Sequence, residues 1–100
     1  MANVTVRAAT PADGETLLCL IDALADYERL TPPDAEGRKR FLAELKREPA
    51  RTWCFLAEVD GEAVGYTVLC ETFSTFSAKP KLFLEDIFVA PEAQIGRAHV

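Results

Sequence analysis

Two acids stand side by side inside an apolar run, Leu82-Phe83-Leu84-Glu85-Asp86-Ile87-Phe88-Val89-Ala90-Pro91. The run has the composition of a strand covered on both faces, as in the centre of a sheet. Successive strand side chains point to opposite faces. Leu82, Leu84, Asp86 and Phe88 then share one face, and Phe83, Glu85, Ile87 and Val89 the other. Whichever face is core, one carboxylate points at it unless a bulge intervenes. An unpaired buried charge costs several kcal/mol, so that acid needs a cationic partner, local hydrogen-bond donors or a water-filled cleft. Carboxylates held in a cleft bind cations and accept protons. The structural alternative is that Arg7, Arg51 or Lys81 satisfies one acid while the other is solvated at a strand end.

A second pair, Tyr27-Glu28, closes a helical stripe of Leu17, Leu20, Ile21 and Leu24 at spacings of three and four. The stripe turns from aliphatic to polar at its last turn, where the helix dipole disfavours an anion. Tyr27 and Glu28 can face a cationic ligand, or Arg29 next door can neutralise Glu28.

The elements that carry these pairs follow in order. Val4, Val6 and Ala8 alternate with polar residues as a first strand. Thr10-Pro11-Ala12-Asp13 predicts a helix start, with Thr10 as N-cap, Pro11 in the first helical position and Asp13 as the capping-box acid. Thr31-Pro32-Pro33-Asp34 breaks that helix and caps a second, with Phe41, Leu42 and Leu45 inward and Arg38, Lys39, Glu44, Lys46 and Arg47 wet; Pro49 ends it. Thr52 to Val59 and Ala63 to Phe73 flank Asp60-Gly61 as a hairpin, and Gly65 marks a bulge, a close backbone approach or a tolerated glycine. Ser74 to Pro80 reads as a polar connector, and Lys81 to Ala90 as the last strand. The order is β-α-α-β-β-β, an α/β (α+β) fold with a mainly antiparallel sheet.

Composition narrows the function. One hundred residues make one small domain. A formal net charge of −5 disfavours nucleic acid and anionic membranes, and suits a cationic ligand. No run approaches the roughly 20 apolar residues of a membrane span, and no signal-peptide core opens the chain, so the expected location is cytoplasmic. Cys19, Cys54 and Cys70 are scattered without CxxC spacing and read as reduced core residues. No metal site is expected.

The element order, Arg7-Ala8-Ala9-Thr10-Pro11-Ala12-Asp13, the Tyr27-Glu28 pair, Ala57-Glu58-Val59-Asp60-Gly61-Glu62-Ala63-Val64-Gly65-Tyr66 and Leu84-Glu85-Asp86-Ile87-Phe88-Val89 together resemble the GNAT superfamily of N-acetyltransferases. The likeness is greatest to its spermidine/spermine (diamine) branch and covers about the first ninety residues, the N-terminal half of the acyl-CoA N-acyltransferase fold. The resemblance implies a bulged fourth strand whose end, Ile87, Phe88 and Val89, binds acetyl-CoA and polarises its thioester carbonyl. It implies a small cationic amine as partner, with Tyr27, Glu28 and Glu85 binding it and Glu85 or Asp86 accepting its proton. That proton must leave, because an ammonium of pKa about 10 has no lone pair with which to attack. It further implies a homodimer.

The likeness breaks after Pro91. The family continues with an Arg/Gln-x-x-Gly-x-Gly/Ala loop that holds the CoA pyrophosphate at a helix start, whereas Gln94-Ile95-Gly96-Arg97-Ala98 is one residue short of that spacing. Tyr27 and Tyr66 lie too early to match the family's tyrosine acid. We read residues 1–94 as a partial acyltransferase domain, inactive alone, and Ile95 to Val100 as a non-native tail, since one frame of a widely used sequencing adapter encodes those six residues. The rival reading is a non-enzymatic acidic α/β module that binds a cationic ligand.

Overall fold

A sheet with one apolar face needs helices to cover that face, and the sequence supplies two between its first and second strands. The computed structural model describes residues 3–91. They form β1 (Val4–Ala8), a 3-10 turn (Pro11–Asp13), α1 (Gly14–Glu28), α2 (Ala35–Leu45), β2 (Thr52–Val59), β3 (Glu62–Ser74) and β4 (Lys79–Val89). The four strands make one antiparallel sheet in the order β1-β2-β3-β4. The expectations for the glycine loop from Gln94 and for the tail from Ile95 to Val100 lie outside the described residues.

Local chemistry fixes the helix ends. Asp13 accepts from the Thr10 backbone N–H at 2.8 Å and from the Thr10 hydroxyl at 3.3 Å. The predicted start is therefore anchored as expected, but its first turn is 3-10 and α1 begins only at Gly14. Asp34 caps α2 by accepting from the Gly37 N–H at 2.8 Å. At the other end of α1, Arg29 turns left-handed (φ 57°) and the Leu30 N–H reaches back to the Ala25 carbonyl at 2.7 Å. This Schellman-type stop leaves Tyr27 and Glu28 on the final turn of α1.

Leu17 and Leu20 of α1 pack with Cys54 and Leu56 of β2, Tyr66 and Val68 of β3 and Phe88 of β4, and Phe41 and Leu45 of α2 close the edge. Cys19 corrects the expectation of three core cysteines. It is exposed, because its helix position is turned away from Leu17 and Leu20, while Cys54 is buried. Glu44, expected to be wet, is partly buried and accepts from Arg51 at 2.8 Å and from the Thr52 hydroxyl at 3.1 Å.

The connector expected over Ser74 to Pro80 is shorter than that, because Ser74, Lys79 and Pro80 belong to strands. The ladder continues through Phe73↔Pro80 to Ser74↔Lys79, so only the four residues between Ser74 and Lys79 turn. The apolar content of β4 suggests a central strand. Among the described residues β4 is the sheet's edge, which is why Pro80 is tolerated in it, and its far face is open, with Ile87 69% exposed. No described helix is long and apolar enough to cross a membrane.

Candidate active site

Two irregularities in the ladder shape the site. In β4, Val68 pairs with Asp86 but Leu69 pairs with Leu84, so Glu85 is the extra residue of a bulge. Cross-strand neighbours share a face. Asp86 and Phe88 therefore lie on the helix face with Val68 and Tyr66, while Leu84 lies on the far face with Leu69. Simple alternation, which put Leu84 with Asp86, fails at this one position. The second irregularity lies beside Gly65, where Ala57 pairs with Gly65 but Glu58 with Ala63.

Gly65 also meets β4 closely. A Cβ built on it would sit 2.6 Å from the Phe88 carbonyl oxygen and 3.2 Å from Val89 Cγ2. The Ala90 N–H bonds to the Val64 carbonyl at 2.8 Å. By antiparallel alternation the polar groups of Phe88 then face β3, and those of Ile87 and Val89 face the outer edge of the sheet. Outward strand amides are what an amide-bearing arm such as pantetheine pairs with, and Ile87 presents such groups at this edge, whereas those of Phe88 face β3.

One cavity of about 290 Å³ is lined by Leu24, Tyr27, Glu28, Ile87, Phe88 and Val89. It unites the helix-end pair and the strand-end triplet, sixty residues apart in sequence. Tyr27 and Phe88 touch across it, with ring centroids 6.2 Å apart and planes tilted by 55°. Arg29 makes no ion pair with Glu28 among the described residues.

Glu85 and Asp86 do not line this cavity. Glu85 is exposed on the bulge, and Asp86 is partly buried, accepting from the Tyr66 hydroxyl at 3.3 Å. The Asp86 backbone carbonyl accepts from the Thr67 hydroxyl at 2.8 Å, which pins the bulge to β3. Burial first, then the charge of Asp86, raises the Tyr66 phenol well above its ordinary value; the same two causes push the Cys54 thiol up to about 11, so Cys54 is an inert core thiol. Two of the three cations proposed to neutralise the twin acids, Arg7 and Arg51, are engaged elsewhere, and Lys81 makes no ion pair with either acid. Arg7 holds Asp13 at 2.8 Å and Glu58 at 3.2 Å, and Arg51 holds Glu44. Among the described residues no ion pair joins Lys or Arg to Glu85 or Asp86. Likewise, among the described residues no group of three His, Cys, Asp or Glu side chains could hold a metal ion.

Sequence reasoning missed Tyr66, whose buried hydroxyl partners Asp86. The signal was present, since a tyrosine on the core face between Val64 and Val68 must find a partner for its O–H.

The sequence profile of the acetyltransferase (GNAT) family matches residues 19–95. The chain belongs to this family. It is 31% identical over 91 residues to the uncharacterized N-acetyltransferase YhfO of Bacillus subtilis (strain 168), covering 91% of this chain and 60% of that protein. It is 33% identical over 100 residues to the thialysine N-epsilon-acetyltransferase of Bos taurus, covering 92% of this chain and 58% of the relative. The chain thus spans 58–60% of the length of the curated relatives it matches. Among solved structures, an integron cassette protein from the mobile metagenome of Cole Harbour salt marsh superposes with a TM-score of 0.79 at 29% identity, over 89% of this chain and 58% of that one. A predicted acetyltransferase of Clostridium acetobutylicum, solved with acetyl-CoA, shares the fold with a TM-score of 0.74 at 15% identity, over 97% of this chain and 70% of that one.

Proposed function

We propose that this GNAT chain is the N-terminal part of an enzyme that moves acetyl from acetyl-CoA to a primary amine of a polyamine or similar small cation. The observation that carries the reading is the single cavity that joins Tyr27 and Glu28 to Ile87, Phe88 and Val89. Tyr27 and Glu28 receive the cationic amine, with Glu85 near the end of β4, and the outward amides of β4 hold the acyl donor. Glu85 or Asp86 takes a proton from the ammonium, directly or through water. The freed lone pair attacks the thioester carbon, the C–S bond breaks, and the departing CoA thiolate takes up a proton that balances the one the nitrogen gives up as the amide forms. No covalent enzyme intermediate is involved.

Three observations support this assignment. The acids of the bulge have no Lys or Arg partner among the described residues, so a cationic substrate can take that place. The overall charge of −5 favours a cation in the cleft. Two mammalian relatives are named for acetylating the ε-amine of thialysine, itself a small amine.

The test uses the protein carrying its native sequence downstream of Gln94, with acetyl-CoA and a panel of spermidine, diamines and lysine analogues. Acetylation of a small cationic amine is expected, with Glu28→Gln raising KM more than it lowers kcat. Spermidine binding without acetyl-CoA binding would favour the non-enzymatic module. No binding of CoA and no modified amine would overturn the proposal, and turnover by the 100-residue chain itself would overturn its reading as an inactive part.

A further inference from the structure

The twin acids of β4 are neighbours in sequence but occupy different environments. Glu85 is looped out of the ladder into solvent, whereas Asp86 pairs with Val68 on the helix face. There it meets Tyr66, which is 3% exposed and donates its hydroxyl to Asp86 Oδ2 at 3.3 Å. A phenol buried that deeply loses water and must find an acceptor, or its desolvation goes uncompensated.

Tyr66 in turn is the cross-strand partner of Phe88, with ring centroids 6.4 Å apart and a 57° tilt, the edge-inclined packing that aromatic rings prefer. Phe88 is 5% exposed and also meets Tyr27, at a similar tilt. Phe88 and Tyr27 are both walls of the 290 Å³ cavity. A continuous series of contacts therefore runs from Asp86 through Tyr66 and Phe88 to Tyr27. The Asp86 carboxylate stands at the far end of it, outside the cavity lining and already engaged by a donor.

We propose that Asp86 is a positioning residue that holds the Tyr66 hydroxyl and thereby fixes the Phe88 ring that walls the cleft, leaving Glu85 as the acid that meets the amine. The role of Asp86 stands on these contacts alone; the role of Glu85 rests on the acetyltransferase reading above. Without the Asp86 acceptor the tip of the Tyr66 ring loses its polar anchor, the ring can shift, and Phe88, which packs against it, is held less firmly as a wall of the cavity. Glu85 has no such attachment.

The two roles separate experimentally. With Tyr27→Phe in place, Tyr66 is the remaining tyrosine of the two in the chain, and its Raman Fermi doublet reports whether the phenol donates a strong hydrogen bond. In the 100-residue chain, Asp86→Leu should shift that doublet to the non-donating pattern, Asp86→Asn should retain a weaker donor pattern through its amide oxygen, and Glu85→Gln should leave it unchanged. An unchanged doublet in Asp86→Leu, with the fold intact by circular dichroism, would overturn the positioning role. In the tail-restored enzyme, Glu85→Gln should lower kcat roughly 100-fold, as loss of a proton acceptor does. Asp86→Asn should lower kcat far less than Glu85→Gln does, while Asp86→Leu should raise KM for both substrates about tenfold. Loss of kcat in Asp86→Asn equal to that in Glu85→Gln would make Asp86 the acceptor and overturn the assignment. If the parent acetylates nothing, the function and the role of Glu85 fall together, while the Raman result still decides the role of Asp86.

Discussion

Gly65→Ala is the sharpest test of how β4 is held. The added Cβ would lie 2.6 Å from the Phe88 carbonyl oxygen, with Val89 Cγ2 and Cα at 3.2 and 3.3 Å. The nearest atom is backbone and cannot rotate aside. For the contact to open from 2.6 Å to the 3.4 Å at which ordinary contact begins, the strands must separate locally by about 0.8 Å. Overpacking of this kind costs about 1–3 kcal/mol. Against it, Gly→Ala lowers the entropy of the unfolded chain and recovers about 0.4–1 kcal/mol. A net loss of about 1–2 kcal/mol is expected, read as a lower urea midpoint with unchanged slope by the fluorescence of Trp53, the chain's one tryptophan. Displacement falls on Phe88 and Val89, so CoA affinity in the tail-restored protein should fall more than global stability implies, since misplacement by about 1 Å can cost as much as 100-fold in a positioned site. Gly61→Ala is the control. Its backbone is left-handed (φ 84°) with nothing within 4 Å of an added Cβ, so it should lose about 1 kcal/mol through the backbone alone and leave CoA binding unaltered. A Gly65→Ala protein as stable as the parent and unchanged in CoA affinity would show that β4 is not held at this spacing.

Other predictions follow from the core and the helix start. Asp13 is held well below the usual carboxylate range, first by the Arg7 guanidinium and then by the Thr10 backbone N–H. Its contribution is therefore fully present above the unfolded carboxylate value of about 3.9 and is lost as the pH falls through the lower folded value. Asp13→Asn should cost about 1 kcal/mol at neutral pH, a loss that shrinks below about pH 4, measured by urea midpoints across a pH series. Leu56→Ala removes a side chain only 1% exposed at the centre of the core. It should cost about 2–5 kcal/mol, a large share of the stability of a domain this size, with near-ultraviolet circular dichroism reporting any loss of fixed packing.

What the sequence discloses here is what short-range chemistry decides. Asp34 caps a helix wherever three free N–H groups follow it, Asp60-Gly61 supplies two left-handed residues in a row, and the stripe from Leu17 to Leu24 projects Tyr27 and Glu28 onto the side facing the sheet. Pairing decides the rest. Whether Leu82 to Val89 runs as a regular strand depends on the register imposed by β3, and nothing local in Leu84-Glu85-Asp86 shows that one residue will be skipped. The same dependence shortened the connector expected from Ser74 to Pro80 to the four residues between Ser74 and Lys79, since β3 pairs with β4 as far as Ser74↔Lys79. Local pattern also predicted a central strand for β4 from its apolar content, yet the neighbours that would cover its far face are not among the described residues. The bond between Tyr66 and Asp86 joins residues twenty apart whose meeting depends on the bulge between them.

The skipped residue has a consequence for how the sheet could be edited. Val68 keeps Asp86 and Leu69 keeps Leu84 as partners whether or not anything intervenes between those two. A chain lacking Glu85 would restore an unbroken ladder with every other side chain on its present face. The acid is thus supernumerary to the scaffold, and excising it takes away a carboxylate and its looped backbone together while the architecture around it has no reason to change.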